Sequence, residues 1–455
     1  MTDKTRDYPI KLSVLMAAVV FCMLSAGISF GQEVPTLSRA TRYLRYLDLE
    51  RGMTADEVVA AAIANNTELD AMRKEAEAGE ALLRQAGLRP NPSLTISGEK
   101  MIGGPDYGVM VEGGVPLELG GRRGARIRVA ERELEIRNIA VAERERQLAA
   151  EVRTKFGQAL AAILKLKFTE ETVELASDNY ELVSAQVDEG RRPPLEANME
   201  LVELNRMRAM VEIVDGQAEI LLLELRNLAG MEPAEPLRLR GEFDSLIVLL
   251  PDQAAAVQQA LDSRTDLAGA RALELLAAAR TEQARAEGRI DADVMAGYRR
   301  MRSGFPLSAF DPQGQLMPID MRSHAFTFGV RLNLPVRNRN QGLIAASLLE
   351  EEAARQRREF GELTIRREVA SAYADYNRAA RAEQIFRTGV RDQAAQNLDV
   401  VRQTYELGST TLLDYISELR RYIDIETGFI DAQRDAYLAR IDVMRAINAP
   451  ELIQR

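Results

Sequence analysis

Tryptophan is absent from this chain, histidine and cysteine occur once each, and beyond the N-terminal segment there is no long apolar run. Each shortage excludes something. His324 has no neighbouring ligand set and stands at a strand start, so it reads as a surface residue and no metal site is expected. Cys22 lies in a segment that reads as a removable leader, leaving the mature chain neither a disulfide frame nor a thiol site. Without a later stretch of ~18 or more apolar residues, a transmembrane helix is excluded. The net charge of −10 argues against nucleic acid as a partner. No nucleophile–base pairing or metal cluster is visible, so the chain reads as no enzyme and no cofactor is expected. Met199, Met207 and Met210 are core filler on a helix face rather than a copper site. Gly120 and Gly121 lack the lysine and hydroxyl residue that would make a phosphate loop.

At the N-terminus, Lys4, Arg6 and Lys11 precede an apolar run from Leu12 to Ala26, with small residues following. This is the pattern of a secretory signal peptide over residues 1–31, cleaved after Gly31. A lipoprotein signal needs a small residue before the cysteine, and Phe21 is not small. Residues 32–53, with Pro35 and scattered polar side chains, read as an extended arm.

The most informative stretch runs from Phe326 to Gly408. Phe326, Phe328, Val330, Leu332 and Leu334 alternate with Thr327, Gly329, Arg331 and Asn333, the period of a strand with two unlike faces. After Pro335 and a turn-rich segment through Gly342, no proline interrupts the chain until Pro450. The run to Gly408 reads as one helix of roughly 65 residues, ~100 Å long. A strand feeds directly into a rod. The same device occurs earlier: Tyr107, Val109, Val111, Gly113 and Val115 alternate, then Pro116 and Gly120–Gly124 lead into a proline-free run ending near Gly190. The copies are roughly 220 residues apart and form an internal duplication.

Repeat 1 spans 54–250: a helix from Thr54 to about Gly87, a hairpin 92–117, a long helix 122–189, a helix 195–229 and a mid-height segment 231–250 with a small strand around Leu237–Gly241. Repeat 2 spans 251–455: a helix from Asp252 towards Gly288, a hairpin 289–336 with a long connection from Arg299 to Arg322, a long helix 342–407, a helix 412–447 and a tail. Leu134, Val141, Leu148 and Leu166, Val173, Tyr180, Val187 recur every seven residues, a coiled-coil seam. Phe360, Leu363, Ala370, Tyr373 and Tyr376 are the looser counterpart. Four strands of about ten residues suit an outer-membrane wall, but small barrels need about eight and an open edge in lipid leaves backbone groups unpaired. Several chains must share one barrel, and three would give twelve strands.

A two-repeat exported chain with a membrane hairpin and a ~100 Å rod in each copy resembles the TolC family of outer-membrane efflux proteins. Leu334-Pro335-Val336-Arg337-Asn338-Arg339-Asn340-Gln341-Gly342 is most similar to its heavy-metal-cation branch. The resemblance implies a mostly α fold with a membrane β part. It also implies a homotrimer in outer-membrane lipid, with a twelve-stranded β-barrel continuous with a periplasmic α-helical barrel. The implied partners are a periplasmic adaptor and an inner-membrane RND-type pump, and the implied task is passive export of metal cations or drugs. A protein-secretion channel and a non-transporting periplasmic coiled coil are the alternatives. By the same resemblance, the gate lies at the helix reversals: Tyr405, Asp414 and, on the first reversal, Glu196. Where the family has a basic residue and a second aspartate, this chain has Thr410 and Ser417, with Glu418 beside the latter; Arg191 or Arg192 is the candidate replacement cation. Asp414 also suits the first turn of its helix on dipole grounds alone.

Overall fold

The computed structural model describes residues 42–243 and 250–453. The leader, Cys22, residues 32–41 of the arm and residues 244–249 of the mid-height segment lie outside them. Elements appear in the order α1 (Ala55–Asn65), α2 (Thr67–Ala86), β1 (Ser93–Lys100), β2 (Tyr107–Pro116), α3 (Arg122–Asp188), α4 (Pro194–Leu228), α5 (Gln253–Ser263), α6 (Thr265–Glu287), β3 (Asp291–Phe310), β4 (Leu316–Asn333), α7 (Gln341–Ile385), α8 (Arg391–Glu406) and α9 (Leu412–Ala446).

The helices expected as single pieces before each hairpin are broken in two. Both breaks fall at matching positions, Asn66 and Arg264. Asn66 is extended and its side chain caps α2 by accepting from the Leu69 amide at 3.0 Å. Arg264 is extended too, and its buried guanidinium pairs with Asp266 (2.5 Å) and Glu368 (2.7 Å). A side chain that serves the backbone or a neighbouring helix at this point stabilises the kink better than another helical turn. The arm is not simply extended either: Tyr43–Arg45 form a 3-10 turn. The expected mid-height strand is reduced to parallel bridges from buried Leu239 to Leu47 and Met53.

One antiparallel sheet runs in the order β1-β2-β3-β4, so the hairpins of the two repeats are joined through β2 and β3. β3 and β4 extend to 20 and 18 residues, so most of the expected long connection is strand. A register shift between Gly304 and Ser308 interrupts the ladder, and the Gly304 amide there donates to Asp106 at 2.6 Å. Asp311 closes the tip by accepting from the Gln313 and Gln315 amides.

Both strand-to-rod junctions need left-handed backbone. Gly120 (φ 74°) and Gly121 (φ 82°) precede α3, and Asn340 (φ 63°) precedes α7. A Cβ on Gly120 would lie 2.8 Å from that of Arg289, so glycine is required there for space as well as conformation. Arginines then tie rod to sheet: Arg122 pairs with Asp291 at 3.0 Å, and Arg126 pairs with Glu118 at 2.6 Å.

α3 is continuous over 67 residues. Its counterpart is not. A π turn over Phe386–Val390 separates α7 from α8. There Arg391 reaches buried Glu426 at 2.7 Å, and Phe386 lies against Gly428, where a Cβ would come within 3.4 Å of the ring. The main core is built by Leu148, Val152, Phe156, Leu160, Ile163 and Leu166 of α3 with Tyr437, Ile441 and Met444 of α9. Leu148 and Leu166 of the seven-residue seam are fully buried. On α7 the buried face is Ile365, Val369 and Tyr373, four residues apart, because α7 lies between α6 and α9. Phe360 (71 % exposed) and Leu363 (62 %) point away, and Ala370 is exposed, contrary to the seam expected for them.

α3 and α9 pack tightly at Gly157, where a Cβ would fall 2.5 Å from the Tyr437 ring. Gly157→Val is expected to cost about 1–3 kcal/mol by overpacking. Gly124→Ala, where the nearest atom is 3.6 Å away, should be neutral or slightly stabilising. Thermal unfolding followed by far-UV circular dichroism checks both, and an unchanged midpoint for Gly157→Val would remove this contact from the core.

Candidate functional site

Both rods end the same way. Gly190 (φ 73°) and Gly408 (φ 75°) reverse the chain, with Arg191 N donating to Gln186 O (2.8 Å) and Ser409 N to Thr404 O (2.8 Å). These bonds close the last carbonyls of α3 and α8. The return helices start differently. Pro194 opens α4 with no side-chain cap. Thr411 caps α9 in a box with Asp414, whose carboxylate accepts from the Thr411 amide (3.1 Å) and hydroxyl (2.6 Å).

The two reversals meet through four side chains. Tyr405, 8 % exposed, donates its hydroxyl to Glu196 at 3.3 Å. Arg192 pairs with Glu196 at 2.8 Å, and its guanidinium lies 4.3 Å from the Tyr405 ring centroid. The Tyr405 ring also stacks on Tyr415 (centroids 5.6 Å, planes 7° apart), and the Asn179 amide donates to the Tyr415 hydroxyl. Glu196 and Tyr405, 209 positions apart, are thus brought together. The other expected residues are not part of this contact. Thr410 bonds Thr404 at 3.2 Å, and Ser417 is exposed. Glu418 pairs loosely with Arg421 at 3.5 Å. Arg191 is turned to Glu189 and solvent, so the cation at the contact is Arg192. Asp414 is exposed, and the Thr411 hydroxyl and amide hold its carboxyl below the usual range.

Sequence reasoning missed the acids behind the contact. Leu204, Met207, Val211 and Val214 form the buried seam of α4. Continued backwards at the same three- and four-residue spacing, that seam reaches Glu200 and Glu196, and a carboxylate in an apolar seam was the available signal. Glu203 is buried; burial opposes its charge, but hydrogen bonds from Arg206 and Arg420, each as short as 2.6 Å, outweigh this and hold its carboxyl low. Glu200 is 1 % exposed, and its Oε1 has no hydrogen-bond partner among the described residues. Burial first, then the charges of Glu203 and Glu196, push it up to about 7 against the pull of Arg192. Among the described residues no three His, Cys, Asp or Glu side chains are grouped to hold a metal. No described helix is long and apolar enough to cross a membrane.

Rods that follow, after short junctions, from a sheet greasy on one face and polar on the other define a subunit of an outer-membrane channel with a helical stalk. Consistent with that, the model of the family described as "Outer membrane efflux protein" matches residues 58–231 and 256–449, one segment in each repeat, and the chain belongs to this family. It is similar to the cobalt-zinc-cadmium resistance protein CzcC of Cupriavidus metallidurans, 22 % identical over 399 residues, covering 87 % of this chain and 90 % of that one. Its fold is that of CusC (TM-score 0.72, 18 % identity, 90 % of this chain and 95 % of that one) and of the outer-membrane channel OprN (TM-score 0.70, 16 % identity, 91 % and 96 %). The protein is a channel component and not an enzyme.

The sign of the Glu200 effect is fixed. With its pKa raised from 4.5 to about 7, the group stabilises the folded tip fully below pH 4.5, and that contribution is lost as pH rises to about 7. Glu203 and Asp414, held low, lose their contribution only as pH falls below their ordinary 4.5 and 3.8. Amide exchange of the reversals, corrected for its intrinsic rate, should therefore quicken from pH 5 to pH 8. Glu200→Gln should restore up to ~3 kcal/mol at pH 8 and flatten the profile. An unaltered profile in the variant would exclude Glu200 as the cause.

Proposed function

We propose that three copies of this chain form the exit duct of a tripartite efflux system, exporting divalent metal cations from an inner-membrane RND-type pump and its periplasmic adaptor across the outer membrane. The observation that carries this reading is the four-stranded sheet whose edges, β1 and β4, have no partner strand among the described residues, with an exposed apolar face. In hydrocarbon such edges must be paired, and further copies supply the pairing. The stalk supports the same closure: Leu195, Val202, Ile213 and Ile220 leave an exposed apolar stripe on α4, and Phe360, Leu363, Ile385 and Val400 leave one on α7 and α8. Metal cations are favoured over drugs because CzcC is named for cobalt, zinc and cadmium resistance.

In this reading the Arg192–Glu196–Tyr405 contact holds the periplasmic end closed, and Asp414, exposed and ionised, supplies one negative charge per copy to the pore mouth. Tyr405→Phe removes one hydrogen bond per copy, ~1 kcal/mol each, so three copies shift the open–closed balance by roughly a hundredfold. Planar-bilayer recordings should show higher basal conductance for Tyr405→Phe and weaker cation preference for Asp414→Ala. Wild-type currents and selectivity in both would take these residues out of the gate. A strain lacking the chain should become sensitive to cobalt, zinc or cadmium; drug sensitivity alone would reassign the cargo.

A further inference from the structure

The strand register sorts every side chain of the sheet onto one of two faces. On one lie Leu94, Ile96, Val109, Val111, Val115, Val294, Phe326, Phe328, Val330 and Leu332; on the other lie Ser93, Thr95, Glu112, Asp293, Thr327 and Arg331. The apolar face carries no charge from Ala292 to Tyr298 on β3, nor from Phe326 to Leu332 on β4. At the end away from the helices this changes abruptly. Lys100, Arg300, Arg302 and Arg322 all lie on the apolar face within three rungs of the ladder, together with His324 and Tyr107. Against these four cations the same face offers one carboxylate, Asp320, paired with Arg302 at 2.6 Å. Lys100 gives a hydrogen bond to the Gly104 carbonyl, and His324 is bonded to the Tyr298 hydroxyl. Arg300 and Arg322 are exposed, and their guanidinium groups have no hydrogen bond or ion pair among the described residues.

We propose that this belt binds the phosphate groups of phosphorylated glycolipid in the outer leaflet of the outer membrane. The proposal rests on the reading of the sheet as a piece of barrel wall. Depth supports it: from Ala292 to Arg300 is eight residues, ~26 Å along the strand and ~20 Å across the membrane at the usual tilt, close to the ~25 Å apolar band of such walls. The arginines therefore stand where acyl chains give way to headgroups. A cation on the lipid face is costly at the midplane and nearly free at the interface, and a guanidinium there matches phosphate bidentately. Continuity with the apolar face selects a lipid over a free anion, because a ligand bound here must also cover Tyr298, Phe326 and Val111. The belt crosses the sheet from one edge strand, β1, to the other, β4, so adjoining copies would carry it around the wall.

The test uses the full chain in phosphatidylcholine nanodiscs with bisphosphorylated lipid A added, bound lipid being counted by native mass spectrometry. The wild type should retain lipid A at least tenfold better than the same lipid stripped of its phosphates. Arg300→Gln/Arg322→Gln should lose about tenfold of that retention, and Arg300→Lys/Arg322→Lys should keep part of it, with single-channel conductance unchanged in both. Equal retention by wild type and the glutamine variant, or indifference to the phosphates, overturns the proposal while leaving the channel reading intact; absence of any conductance in the wild type would instead overturn the barrel. Should the glutamine variant not assemble, 1 M salt applied to the wild type decides: release of lipid A supports the belt, and full retention refutes it.

Discussion

The hydrogen-bonding demand of the backbone in hydrocarbon governs the rest of this molecule. β1 and β4 leave a row of amides and carbonyls on each side of the sheet, and no solvent is available at membrane depth to satisfy them. A chain with four strands is therefore an unfinished object, and its other exposed features follow the same logic. The apolar stripes on α4 and on α7–α8 lie at the two flanks of the helical part, which is where neighbouring copies must meet if the sheets join edge to edge. Rod and wall are held to one symmetry because the junctions between them are short and tied down: residues 117–121 at one and 334–340 at the other, with left-handed backbone at Glu118, Gly120 and Gly121 and at Asn340.

The reversals obey a different balance. Where the main core is a continuous apolar cluster, the smaller cluster that joins α4 to Tyr405 and α9 is flanked by buried carboxylates. Glu203 is compensated by two guanidinium groups, whereas Glu200 is left with an orphaned oxygen between two like charges. A buried acid without a partner lowers the stability of whatever it packs against. Packing at the tip is correspondingly weaker than in a seam that is wholly apolar.

Period, proline spacing and turn residues made the duplication, both hairpins, both rods and both reversals legible, because each depends on local chemistry repeated over many residues. What escaped depended on a distant neighbour. The kinks at Asn66 and Arg264 escaped the helical period, and only Glu368, a hundred residues on, shows what the arginine does there. The π turn at Phe386–Val390 answers to Gly428 and Glu426 on the facing helix. Phe360 and Leu363 keep a plausible helical spacing, yet the partners of α7 lie on the side of Ile365 and Val369. Arg191 and Arg192 are adjacent and chemically alike; only the fold of the reversal shows that Arg191 turns to Glu189 and Arg192 to Glu196.

The two reversals also show how capping decides which acid is free to act at a distance. Glu196 and Asp414 occupy equivalent places, six residues after their glycines. Thr411 offers its hydroxyl and amide to Asp414, so that carboxylate is consumed locally and cannot reach the other repeat by a hydrogen bond. Its charge remains, exposed and held ionised by the same two donors. Pro193 and Pro194 offer neither hydroxyl nor amide hydrogen to Glu196, and that side chain is left to bridge Arg192 and Tyr405. One repeat therefore contributes the contact and the other the field. The division follows from what stands at the start of each return helix, a proline pair in one copy and a threonine in the other.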